Sequence, residues 1–207
     1  QNANVKNTVI GGLAGDAIVG GTENTFVGYQ AGSAVSGGNS NTAVGHDAYL
    51  AGTGTSNTIM GYAAGDAAMT GSHNVCLGSS AGSAITDGPG NVCIGSSAGV
   101  AMTTGDYNIA IGFQAADAMT GNSDQNIAIG INALGAEASG ADYCVAIGAD
   151  ALATQNHADA INLAIGQVAG YAITSGTKNV LIGHNAGQTI ADDSHNTALG
   201  YNALKAA

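Results

Sequence analysis

Along the whole chain a short apolar motif returns every 16–18 residues. Asn108-Ile109-Ala110-Ile111-Gly112 gives it in full: a polar anchor, three apolar residues and a glycine, with Ala115 three positions further on. Twelve units begin at Asn7, Asn24, Asn41, Asn57, Asn74, Asn91, Asn108, Asn126, Cys144, Asn162, Asn179 and Asn196. Counted from the anchor, position one is Asn in eleven units, and position five is Gly and position eight Ala in all twelve. Position two is always Thr, Val, Ile or Leu, and position four always Ile, Val, Leu or Met. Repetition at so short a period is the signature of a solenoid, in which each unit buries its apolar side against its neighbours.

The residues after each anchor predict a strand, because β-branched types dominate and side chains alternate with period two. Positions two and four share one face, and their bulk predicts that this face lines the core. Position three is also apolar, so the opposite face is expected to be covered too, by another copy of the chain. After the fixed alanine, segments such as Ala169-Gly170-Tyr171-Ala172-Ile173-Thr174 alternate like a second short strand. Helical repeats need about 33 residues per unit and tolerate glycine poorly, which excludes them here. The expected fold is all-β: a parallel β-solenoid or β-roll of about twelve 16–18-residue coils, with two short strands per coil, assembled as a trimer. Residues 1–207 form one domain, since the repeat runs end to end without a change in composition. At about 4.8 Å per coil the rod is roughly 55–60 Å long. The anchor asparagines form a ladder of side-chain amides, broken once at Cys144. The longer units around Ala138-Ser139-Gly140-Ala141-Asp142 are expected to bulge outward.

Composition narrows the function more than it defines it. The 207 residues include 34 Gly, one Pro, no Trp and only 8% charged residues, with a net charge of −11. Three lysines, Lys6, Lys178 and Lys205, are the only basic residues besides histidine, so no basic patch exists to bind nucleic acid or an anionic membrane surface. No apolar run reaches the length of a membrane-spanning helix. Cys76 and Cys93 occupy the same position in consecutive units, as small core fillers or, alternatively, as a disulfide pair.

Candidate chemistry is sparse. Asp16, Asp66 and Asp117 share position ten in units one, four and seven, about 14 Å apart, too far for the carboxylate pair of a glycosidase. His46, His73, His157, His184 and His195 lack the spacing of a metal site, and no phosphate-binding loop is present. No catalytic residue, cofactor or metal is therefore expected. Tyr29, Tyr62, Phe113 and Tyr201 all follow the fixed glycine, where rings could stack on the sugars of a cell-surface glycan; corner packing or contact between copies is the alternative.

Units such as Asn41-Thr42-Ala43-Val44-Gly45 and Asn196-Thr197-Ala198-Leu199-Gly200-Tyr201-Asn202-Ala203-Leu204, with the linker Met102-Thr103-Thr104-Gly105-Asp106-Tyr107, resemble bacteriophage tail-fibre repeats. Repeats of that kind lie upstream of endosialidase-type intramolecular chaperone domains. The units also resemble the head repeats of trimeric autotransporter adhesins, although they are longer. This resemblance covers nearly the whole chain and implies a homotrimeric β-roll, extracellular, on a cell surface or in a virion, serving as a rigid shaft or host-contacting surface. Two further readings stand beside it. The twelve residues from Asn196 and the six before Asn7 together make the length of one coil, as expected either of a piece of a longer fibre or of a subunit that stacks head to tail into a filament. The second is a glycan-degrading tailspike.

Overall fold

In a computed structural model, residues 6–136 and 140–205 are described, and among them there is no helix. Twelve three-residue strands, from Thr8–Ile10 to Thr197–Leu199, pair in sequence order into one parallel sheet. Equivalent positions face each other throughout, as in Ile109 opposite Ile127 and Ala110 opposite Ala128. The chain is a parallel β-solenoid, with one anchor per coil. A second strand is regular only near the start, where Ala34–Val35, Ala51–Gly52 and Ala68–Met69 form a three-stranded sheet. In later coils the same stretch runs through turns and bends, although segments such as Ala84-Ile85-Thr86 and Ala172-Ile173-Thr174 keep the same alternation.

The strand face is the reverse of the expected one. Position three points inward: Ala43, Cys76, Cys93, Ala110, Ala128, Ala146 and Ala164 are completely buried. Positions two and four point outward and are half-buried by their ladder neighbours, as Ile109 and Ile111 show. The alanine column from Ala31 to Ala186 is fully buried as well. Position three is Ala or Cys in eight of twelve units, while Phe26, Ile59 and Leu181 fill the same inward site in three others with no exposed surface.

The rest of the core obeys a complementary rule. Where position nine is glycine, an aliphatic residue three or four positions later fills the space, as with Gly82 and Ile85, Gly99 and Met102, or Gly170 and Ile173. A β-carbon on Gly82 would lie 2.8 Å from Cδ1 of Ile85 and 2.6 Å from Sγ of Cys76. Where position nine is large, position twelve shrinks or becomes polar: Tyr49 with Gly52, and Leu152 with Gln155. Each coil thus keeps a similar core volume. Ala115 sits in this packed layer with no exposed surface. Ala115→Leu should cost about 1–3 kcal/mol through overpacking, read as a lowered thermal midpoint; unchanged melting would mean the corner has spare room.

Corners are made by left-handed backbone. Positions seven and nine have positive φ in every coil, as does the residue before each anchor from Glu23 to His195, whatever the side chain. Gln114, Val168, Tyr107 and Ile161 are examples at 48–56°. The strain is offset by ladder bonds: the Gln114 N–H donates to the Ser96 carbonyl at 3.1 Å, and the Tyr107 N–H to that of Pro89 at 3.0 Å.

The anchors close each coil and join it to the next. Asn108 Nδ2 donates to the Ser123 carbonyl at 2.6 Å, while its Oδ1 accepts the Asn126 backbone N–H at 2.9 Å. The same relay runs from Asn7 onward, so the predicted ladder works mainly through the backbone of the following anchor. Direct amide–amide bonds are added in several coils, for example Asn126 Nδ2 to Asn108 Oδ1 at 3.1 Å. The Cys144 N–H donates to Asn126 Oδ1, but its own side chain has no amide oxygen to accept from the next anchor. There the buried Gln155 accepts from Asn162 Nδ2 at 2.6 Å, leaving its own Nε2 without a partner. Residues 138 and 139 of the expected bulge, and the terminal residues 1–5 and 206–207, lie outside the described residues.

Candidate functional site

The reversed strand face puts the chain's main surface feature on positions two and four. Two columns run its length, Thr8 to Thr197 and Ile10 to Leu199, and no charged residue occurs at any of these positions. The face is flanked by two rims. One is position six, just after the fixed glycine, where Tyr29, Tyr62, Phe113, Ile131 and Tyr201 are exposed. The other is the residue before the anchor, where Tyr107, Tyr143 and Ile161 are exposed. Beyond the first coil, large exposed hydrophobic side chains lie almost entirely on this face and its rims, with Tyr171 and Leu204 elsewhere. Acidic residues concentrate on the other sides, as with Asp66, Asp117, Asp124 and Asp142. The solenoid is an amphipathic rod.

Strand spacing makes the face about 53 Å long, and its two columns are about 7 Å apart. The rims are mixed in character: the one before the anchor also carries Lys6, Glu23 and Lys178.

Of the residues proposed for glycan contact, Tyr29 and Tyr62 are brought together by His46, which lies between them. Ring centroids are 5.0 Å apart for Tyr29–His46 and 5.4 Å for His46–Tyr62, with tilts of 35° and 33°. One face of each tyrosine ring is therefore covered by imidazole. Tyr201 stacks on His184 at 5.4 Å and 15°. Phe113 stands apart, three coils from Tyr62. Reading the residue before the anchor as a column of its own would have revealed Tyr107 and Tyr143 in the sequence.

Among the described residues, Asp66, Asp106, Asp117 and Asp192 have shifted pKa values. Asp66 and Asp117 are both raised above the usual carboxylate range, chiefly by burial, but they stand three coils apart. Asp47, in the coil beside Asp66, adds a smaller upward push on it. Asp106 is raised by desolvation and by the neighbouring Asp124 and Asp87. The Ser175 and Thr174 hydroxyls lower Asp192, donating to its Oδ1 at 2.6 and 2.9 Å. Tyr49 is structural: its hydroxyl donates to the Gly54 carbonyl at 3.0 Å, and burial pushes its pKa up to about 12. Cys76 and Cys93 are register partners and carry free thiols; the neighbouring Cys93 thiol and burial hold Cys76 well above its ordinary value, which suits core filling and not nucleophilic work. Among the described residues no group of three or more His, Cys, Asp or Glu could hold a metal ion. Nor is any helix among them long and apolar enough to cross a membrane.

No family model, curated protein or solved structure matches the chain.

Proposed function

We propose that the chain is a structural module of an extracellular or virion fibre, in which the strand faces of three parallel copies pack around a common axis to form a rigid, host-facing rod. The observation that carries this reading is the uncharged face of positions two and four. Support also comes from the resemblance of its repeats to those of tail fibres and trimeric adhesin heads. Binding or spacing is the work such a rod performs, with no catalytic step. A cell-surface glycan is the proposed ligand class for its outer flanks.

The strongest test changes the face without touching the core. Ile109→Asp with Ile111→Asp places two carboxylates where the copies would meet, and burying such charges without partners costs several kcal/mol each. Wild type should sediment as a discrete trimer and the variant as a folded monomer with unchanged far-ultraviolet circular dichroism. A wild-type monomer at micromolar concentration would overturn the proposal, and an open-ended distribution of sizes would favour the head-to-tail filament.

A further inference from the structure

We infer that the coil from Cys144 to Ile161 binds one buried water molecule, which accepts from the Asn162 N–H and from Gln155 Nε2 and donates to the Asp159 carbonyl. The site lies inside one chain and is independent of how copies assemble.

An anchor asparagine makes two bonds at once. Its Nδ2 donates to the carbonyl three residues before the next anchor, and its Oδ1 accepts the N–H of that next anchor, as Asn108 does with Ser123 and Asn126. In the Cys144 coil the corresponding groups are the Asp159 carbonyl and the Asn162 N–H. From Asn24 to Asn196 the N–H of every other anchor bonds to the preceding anchor's Oδ1. Asn162 alone breaks the series, and no backbone carbonyl takes its N–H instead. The residue is 1% exposed, so bulk solvent does not reach this group. A cysteine side chain ends at Sγ, a weak acceptor, whereas asparagine continues to an oxygen and a nitrogen.

A second observation in the same coil points to the same place. Gln155 is the only amide at position twelve and has no exposed surface. Its Oε1 accepts from Asn162 Nδ2 at 2.6 Å. The preceding anchor's Oδ1 plays that role toward Asn108, Asn126, Asn179 and Asn196. The Gln155 carboxamide thus borders the place an anchor amide would fill, and its Nε2 has no partner. Two N–H donors and a carbonyl oxygen are the complement of a water molecule, and buried polar groups with this balance are met by ordered water. The two donors repel a cation. An anion finds no lysine or arginine among residues 144–161, where Asp150 and Asp159 already stand.

Water-selective NOE and ROE spectra of the full chain, labelled with nitrogen-15 and deuterium, test the site. In wild type the Asn162 amide should give a water cross-peak of opposite sign in the two spectra, the signature of a bound molecule as against proton exchange. The Asn126 and Asn179 amides, which bond an amide oxygen directly, should give none. Cys144→Asn supplies both missing groups and should abolish the Asn162 cross-peak. Gln155→Met removes one donor at similar size and should weaken it. Absence of the cross-peak in wild type would overturn the inference, as would its survival at full strength in either variant. If Cys144→Asn does not fold, the wild-type spectrum and Gln155→Met decide the question by the same two criteria.

Discussion

Gly112→Ala should lower the stability of the rod by about 3–5 kcal/mol, the range reserved for backbone strain combined with a steric clash. Position five has φ between 120° and 142° in all twelve coils, a region L-residues avoid. Space is missing as well: a β-carbon on Gly112 would lie 2.5 Å from the Gly130 carbonyl oxygen and 2.7 Å from its carbon. Those atoms are backbone of the adjoining coil and cannot swing aside. Any relief must open the bond by which the Gly130 N–H reaches the Ile111 carbonyl at 2.8 Å. Gly37→Ala is the control, since Gly37 has φ of 80° but nothing within 4 Å of its would-be β-carbon. It should cost about 1–2 kcal/mol. Denaturant midpoints of both variants decide the matter: equal losses would refute the clash and leave only the dihedral angle.

Asn108→Ala is expected to cost about 2–5 kcal/mol by leaving two buried backbone groups without partners at about 1–3 kcal/mol each. The Ser123 carbonyl loses its donor and the Asn126 N–H loses its acceptor. Asn108 is almost wholly buried, so water cannot readily replace it. The loss should appear in the denaturant midpoint and, locally, as faster hydrogen exchange at the Asn126 amide. Unchanged protection there would show that the anchor relay contributes nothing to holding consecutive coils together. Because a solenoid couples each coil chiefly to its neighbours, exchange at distant anchors such as Asn24 should change far less.

The repeat made the coil period, the strand position and the anchor ladder legible, because glycine, alanine and asparagine return at fixed spacing. Facing was not legible from alternation alone. Ile109, Ala110 and Ile111 are all apolar, so period two separates the faces without assigning either to the interior. Side-chain size was no guide either, since the inward site takes Ala110 in one coil and Phe26 or Ile59 in others. Left-handed corners at Gln114, Tyr107 and Val168 were hidden for another reason. These residue types have no preference for positive φ, and hydrogen bonds from the preceding coil impose it. The exchange of volume between Tyr49 and Gly52 needs two positions to be compared jointly, which a column-by-column reading does not do. The candidate surface was half visible: the Tyr29–Tyr62 column stood out, whereas Tyr107 and Tyr143 precede the anchor and fell into what looked like linker.

Among the described residues, the bonds that join coils run to the coil on either side, and volume is balanced inside each coil. Duplicating a unit whose anchor is asparagine therefore renews the anchor relay at the new joint. Length becomes a countable quantity in such a molecule, advancing in ticks of about 4.8 Å, so that a gene could adjust the reach of the rod by copying a segment of some fifty nucleotides while keeping that relay.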